Sequence, residues 1–165
     1  MKKTIVIPTD FTVQSLNVLK TVLNQNESKQ QYNIILLHGF SQNDSIRDLL
    51  FFSKTQQIAA LMNTEFEEAY EVIRNKFDSQ VGSIKIDLFT GYNLSAFNTY
   101  LEANGVNEIF TSERKQHPAH KNSFDLSRFI AKSQVNATII ETVSKTSAPE
   151  RGKIAEVFMN QVSIG

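Results

Sequence analysis

The stretch TIVIPTDFT, residues 4–12, contains a short apolar run that ends close to an aspartate. Its β-branched residues favour a buried strand over residues 4–7. Asp10 follows that strand, and Thr12 is placed to cap a helix. The apolar positions that follow at helical spacing are Val13, Leu16, Leu19, Val22 and Leu23. The stretch therefore predicts a strand, a turn that carries Asp10, and a helix.

The same alternation of apolar runs and helical patterns continues along the chain. Further strands are predicted at residues 33–38, 83–89, 107–112 and 137–142. Helical spacing is found at residues 48–62, from residue 63 or 64 to 77, at 94–101 with a cap at Asn104-Gly105, and from Ser123 onward. Strands that alternate with helices in this way are typical of a parallel α/β sheet.

Composition excludes several classes of protein. The chain has 165 residues, 17 basic and 17 acidic side chains, and no cysteine. A balanced charge creates no field that attracts nucleic acid or an anionic membrane. Without cysteine there is no disulfide scaffold, thiol nucleophile or thiolate zinc site. The N-terminal apolar run is too short for a signal peptide, and no run approaches the ~20 residues of a membrane span. We expect a cytoplasmic protein that binds neither nucleic acid nor membrane.

Two motifs resemble those of the universal stress protein family. They are PTDFT at residues 8–12 and Leu36-Leu37-His38 at the end of the second strand. The resemblance covers about residues 4–142, and the order of the elements supports it. It implies a Rossmann-like, three-layer, open twisted parallel sheet of five strands in the order 3-2-1-4-5. It also implies a homodimer, as is usual in the family.

In that topology, Asp10 lies where the strand order reverses, between strands one and four. Ligands of doubly wound sheets bind beyond the carboxyl ends of the strands at such a reversal. In ATP-binding relatives, the loop that carries this aspartate helps to hold the adenine end of the nucleotide. The resemblance therefore implies the same role for the loop that carries Asp10. The alternative is that Asp10 accepts hydrogen bonds from amides of its own turn and of the next helix. The two interpretations are compatible.

The loop after strand four departs from the family pattern. ATP-binding members carry G-x2-G-x9-G-[ST] there, and the glycines let backbone amides approach the phosphates. Residues 111–123, TSERKQHPAHKNS, contain no glycine and are too few for the pattern. Ser112 stands at the first glycine position, and Asn122-Ser123 replaces the last Gly-Ser pair. We predict that Ser123 caps the next helix and that the chain does not bind ATP in the family manner.

A degenerate site for a nucleotide or a small anion is the alternative. Its candidate residues are Thr9, Asp10, His38, Ser112, Lys121 and Ser123. In this interpretation, basic side chains in residues 113–121 replace the lost glycines. The plainer interpretation of the same segment is a solvated loop. Asp125 opposes a phosphate at the next helix because a carboxylate in the first turn repels it. His117 and His120 suggest a metal ion with Asp10 and His38, but their spacing is not that of a metal motif, and we expect none.

Two apolar segments require a cover. One helix face cannot bury all of four consecutive apolar residues, Leu49, Leu50, Phe51 and Phe52. A second layer of the domain, another subunit or the groove of a partner must therefore cover them. We divide the chain into an α/β domain, residues 1–143, and a helical C-terminal extension, residues 144–165. The extension has a capping-box pattern at Ser147 and Glu150. Its apolar stripe consists of Ile154, Val157, Phe158 and Val162.

Motifs for catalysis are missing from the sequence. It contains no Walker loop, no G-x-S-x-G elbow and no Rossmann G-x-G-x-x-G. We therefore expect that the protein is not an enzyme, has no catalytic residue and binds no cofactor, including ATP and AMP. The predicted function is that of a regulatory stress-response protein that acts through dimerisation or partner binding. The alternative is the nucleotide- or anion-binding protein described above, with weak ATP hydrolysis.

Overall fold

β1, Lys2–Pro8, lies at the centre of a parallel sheet in the computed structural model, which describes residues 2–26, 30–42 and 53–141. The other strands are β2 (Gln31–Phe40), β3 (Val81–Phe89), β4 (Glu108–Thr111), β5 (Ser123–Phe124) and β6 (Ala137–Ile139). The helices are α1 (Leu16–Asn24), α2 (Lys54–Leu61), α3 (Thr64–Lys76), α4 (Leu94–Ala103) and α5 (Ser127–Lys132), with 3-10 turns at Val13–Ser15 and Asp78–Gln80.

The strand order is β3-β2-β1-β4-β6, and every neighbouring pair on this path is parallel. This confirms the predicted order, with β6 as the fifth strand of the prediction. β5 is an addition, because its two residues pair antiparallel with Gly39 and Phe40 at the end of β2. The strand order therefore reverses between β1 and β4, as predicted.

Alternate residues of β1 point to opposite faces of the sheet and create two cores. Ile5 and Ile7 pack with α1 and α3 on one face, whereas Val6 packs with α4 and α5 on the other. All three are completely buried, which is expected of a central parallel strand with helices on both faces. The three-layer prediction is thereby confirmed.

Several predicted helix boundaries are confirmed by capping contacts. Asn63 caps α3, since its side chain accepts a hydrogen bond from the amide of Phe66. Gly105 follows α4 with a φ of 63°, a left-handed conformation that glycine adopts at no steric cost. The predicted helix over residues 48–62 lies partly outside the described residues, and its described part contains α2. Leu49–Phe52 and the C-terminal extension also lie outside them.

The prediction that Ser123 caps a helix was wrong. Ser123 and Phe124 extend along β2, and α5 begins only at Ser127. The carboxylate of Asp125 accepts hydrogen bonds from the amide and the hydroxyl of Ser127, at 2.9 and 2.6 Å. Pairing with β2 and this aspartate turn satisfy the backbone before the helix begins, so the helix starts later than its apolar pattern predicts.

Gly39 permits the close approach of β5. A Cβ atom on Gly39 would lie 2.6 Å from the carbonyl oxygen of Phe124 and 2.8 Å from its ring. Backbone cannot yield at such distances without displacing the strand, so a side chain on residue 39 would push β5 away.

None of the helices within the described residues is long and apolar enough to cross a bilayer.

We expect Phe97→Ala to lower the free energy of unfolding by about 3–5 kcal/mol, because truncating a buried aromatic ring leaves a cavity. Phe97 is fully buried and packs against Phe89 and Phe129, with ring centroids 5.3 and 5.7 Å away. Urea denaturation followed by circular dichroism measures the change. The control is Val72→Ala on α3, where the side chain is 50% exposed and the cost should stay within about 0.5 kcal/mol. Equal costs for the two variants would contradict the assignment of this core.

Candidate functional site

The candidate site lies at the carboxyl ends of β1, β2 and β4, where the strand order reverses. Thr9 and Asp10 follow β1, and His38 lies near the end of β2. Residues 112–122, here called the closing loop, connect β4 to β5 and contact this edge of the sheet. The parallel topology therefore brings together side chains that are far apart in the sequence.

Asp10 is a buried carboxylate with partners in its own turn. Its side chain is 0% exposed. Oδ1 accepts hydrogen bonds from the amide and the hydroxyl of Thr12, at 3.3 and 2.6 Å. Thr12 in turn caps the following 3-10 turn through the amide of Ser15. One oxygen of Asp10 is thus hydrogen-bonded by residues close in sequence, as predicted by the interpretation in which Asp10 binds groups of its own turn.

The closing loop supplies the partners of the other oxygen. Oδ2 accepts a hydrogen bond of 2.6 Å from the backbone amide of His117, and it lies 3.0 Å from Nη1 of Arg114. Nη2 of Arg114 also donates to the hydroxyl of Thr12, at 3.0 Å. Arg114 and His117 therefore attach the loop to the turn after β1. Charge-assisted hydrogen bonds of this kind are stronger than neutral ones.

These contacts determine the charge state of Asp10. Burial raises the pKa of the Asp10 carboxyl, but hydrogen bonds from Thr12 and His117 and the charge of Arg114 more than offset burial. The resulting pKa lies below the ordinary value for aspartate. Asp10 is consequently ionised at neutral pH, and the closing loop stabilises its negative charge.

His38 is hydrogen-bonded through both ring nitrogens and is only 2% exposed. Nδ1 lies 2.8 Å from the carbonyl oxygen of Thr9, and Nε2 lies 2.7 Å from the hydroxyl oxygen of Ser123. Burial lowers the pKa of His38, against the opposing effects of the Thr9 carbonyl and the Asp10 charge, and the nearby His120 lowers it further. His38 is therefore neutral at pH 7.

Phe11 occupies a conformation that sequence patterns did not reveal. Its φ is 63°, in the left-handed region that bulky residues rarely adopt. The buried ring contacts His38 edge-on at 4.9 Å, and the carbonyl oxygen accepts a hydrogen bond of 2.9 Å from Asn63. Packing and the Asn63 contact hold this strained residue between Asp10 and Thr12, and the strain turns the chain sharply at the site.

The remaining candidate residues have local roles. The Thr9 hydroxyl lies 2.8 Å from that of Ser15 and accepts a bond from the amide of Phe11. The Ser112 hydroxyl accepts a bond of 3.3 Å from the amide of Arg114. Lys121 is exposed on the loop. Arg114 was expected only as one of the basic side chains of the loop that could attract an anion, and its ion pair with Asp10 was not predicted.

The histidines of the closing loop do not form a metal site with Asp10. His117 reaches Asp10 through its backbone, and its side chain is not the donor. Nδ1 of His120 accepts a bond of 3.0 Å from the amide of Asn122, and its ring packs 5.2 Å from that of Phe40. Within residues 2–26, 30–42 and 53–141, no group of three or more histidine and acidic side chains could hold a metal ion.

Comparison with solved structures shows which known fold the chain shares. No protein-family model matches the chain, and no curated protein matches it. The structure of the hypothetical protein MJ0577 has a TM-score of 0.52 and 20% sequence identity, covering 87% of this chain and 98% of that one. Universal stress protein UspA from Lactobacillus plantarum has a TM-score of 0.50 and 12% identity, covering 84% and 97%. At this identity the likeness concerns the fold, and the chain has the fold of the universal stress protein family.

Proposed function

We propose that this protein is a non-catalytic regulatory protein of the universal stress protein fold that acts through dimerisation or partner binding. The observation that carries the proposal is that side-chain and backbone groups of the same chain already bind the Asp10 carboxylate. Arg114 and the amide of His117 bind the carboxylate at the edge where doubly wound sheets bind ligands. A ligand of Asp10 would have to displace both partners.

The backbone of the closing loop argues against family-type ATP binding. Phosphate-binding loops direct several backbone amides toward the anion. Here the amides of Arg114, His117, Asn122 and Ser123 donate to Ser112, Asp10, and the side chain and carbonyl of His120. Each of these four donors therefore has a partner within the protein. Of the four, the bond from His117 is the one to a charged group, and such a bond contributes about 1.5–3 kcal/mol that a competing ligand would have to replace.

We expect 1 mM ATP with magnesium to change the midpoint of thermal unfolding by less than about 1 °C. A ligand present at 100 times its Kd stabilises the folded state by about 2.7 kcal/mol. For a domain of this size, that stabilisation raises the midpoint by several degrees. Differential scanning fluorimetry distinguishes the two cases. A shift of several degrees that saturates with ATP would contradict the proposal.

Binding of a small anion is the second candidate function. Lys115, the side chain of His117 and Lys121 are exposed on the closing loop, where Glu113 is the one acidic residue. These groups can attract an anion at the surface while Asp10 and Arg114 remain paired. Inorganic pyrophosphate is the probe in the same thermal assay, with Lys115→Gln/Lys121→Gln as the variant. If pyrophosphate raises the midpoint of unfolding of the wild-type protein but not of the variant, this candidate function is favoured. Weak ATP hydrolysis should then be tested as well.

Dimerisation is the other part of the proposal. β6 ends the described sheet path, and Ile139 on this strand is 60% exposed. A strand edge presents unpaired backbone groups, and an exposed apolar residue beside it favours pairing with a second copy. The sequence adds the apolar stripe of the C-terminal extension, which lies outside the described residues.

We expect a homodimer at micromolar concentration, and we expect Ile139→Asp to shift it toward monomer by placing a charge in the contact. Size-exclusion chromatography with light scattering measures the mass of each species. Val72→Asp is the matched control, because Val72 is also an exposed apolar residue but belongs to α3 and not to β6. A monomeric wild-type protein would contradict the dimer. If the Ile139→Asp variant is as dimeric as the wild-type protein, β6 is not part of the interface.

A further inference from the structure

Ser123 and His38 form a hydroxyl–imidazole pair whose geometry is fixed by backbone pairing. Ser123 belongs to β5 and His38 to β2, and the two strands pair at Gly39 with Phe124 and at Phe40 with Ser123. The Ser123 hydroxyl oxygen lies 2.7 Å from Nε2 of His38. The short antiparallel contact therefore holds a serine against an imidazole at hydrogen-bonding distance.

The hydrogen bonds of His38 determine which atom donates. The Thr9 carbonyl oxygen, 2.8 Å from Nδ1, is an acceptor only, so Nδ1 carries the ring proton. In the neutral ring, Nε2 is then an acceptor, and the Ser123 hydroxyl donates its proton to it. This is the arrangement of a serine with its general base, in which a third group orients the imidazole. Here a backbone carbonyl is the orienting group.

The surroundings of His38 keep it able to accept a proton. The charged and titratable groups that act on it are Asp10, whose charge raises its pKa, and His120, which lowers it, while burial is the largest effect and also lowers it. Phe11 packs edge-on against the ring. His38 is buried beneath Ser123, which is partly exposed. The imidazole is therefore protected from solvent, while Ser123 keeps part of its surface exposed.

We propose that Ser123 is an activated nucleophile that accepts an acyl group from a small activated ester. The Ser123 oxygen forms a bond to the ester carbonyl carbon as its proton moves to Nε2 of His38. The carbon–oxygen bond to the leaving group then breaks, and His38 returns the proton to the departing oxygen. The products are O-acyl-Ser123 and an alcohol or phenol, so the step needs no further reactant.

The loop geometry predicts a single modification without rapid turnover. Fast acyl transfer needs donors for the oxyanion, and loss of one such donor costs about 10²–10³ in rate. The amides of Asn122 and Ser123 donate to the side chain and the carbonyl of His120, so neither is available for an oxyanion. Acylation is therefore slow, and the acyl-serine persists. This is a modification site on a protein whose proposed function is non-catalytic.

The experiment treats the full chain with p-nitrophenyl acetate and locates the acetyl group by mass spectrometry of intact protein and of peptides. We expect one acetyl group on Ser123 in wild type and none there in Ser123→Ala. His38→Gln, which keeps a polar side chain but cannot act as a base, should slow acetylation of Ser123 by about 10²-fold or more. Ser127→Ala is the control, because Ser127 is bonded to Asp125 and should leave the rate unchanged.

The pH profile of the wild-type protein provides a second measurement in case a His38 variant does not fold. The rate at Ser123 should reach a plateau above the pKa of His38, which lies below its ordinary value of about 6.5, and should fall below that pKa as His38 gains a proton. Acetylation confined to lysines, or a rate at Ser123 that rises with hydroxide across the whole range, would overturn the proposal. So would an unchanged rate in a folded His38→Gln variant.

Discussion

A buried carboxylate between β1 and β4 is the constraint on which the site depends. Asp10 has no exposed side-chain surface, and an ionised carboxylate is costly to bury unless charged or hydrogen-bonding partners surround it. Thr12 satisfies one oxygen, and the closing loop satisfies the other. The loop thus has a defined position because the charge of Asp10 requires a partner there.

This constraint explains why the loop can lack glycine. A loop that wraps a phosphate needs glycines so that its amides can approach the anion. The closing loop instead binds a carboxylate of its own chain, with a guanidinium from Arg114 and a single amide from His117. A close backbone approach is found instead at the end of β2, where Gly39 leaves room for β5. That approach also places Ser123 against His38.

The fold was predictable because its signals are periodic. Apolar strands that alternate with helical stripes give the element order, and the opening motif with its resemblance gives the strand order and the position of Asp10. The contact between Asp10 and Thr12 was also predictable, since aspartate commonly bonds the amide two residues later. Each of these signals lies within a short stretch of sequence.

The contacts that complete the site were not predictable by the same means. Arg114 is one of several basic residues in its segment, and no spacing marks it as the partner of Asp10. β5 has two residues, too few to show an alternation, and the apolar positions after it predicted an earlier helix start. The left-handed Phe11 is determined by tertiary packing, since sequence preference there would favour glycine. All three depend on residues that only the folded chain brings together.

The backbone amide of His117 tests the central claim most directly, because its bond to Asp10 joins the closing loop to the sheet. The measurement is a pH titration of the amide resonances of His117 and Thr12 by proton–nitrogen NMR. We predict that both respond to one ionisation with a pKa below the ordinary aspartate value of about 3.9, and that Asp10→Asn abolishes the response. A His117 amide that exchanges rapidly with water and is unaffected by Asp10→Asn would contradict the account.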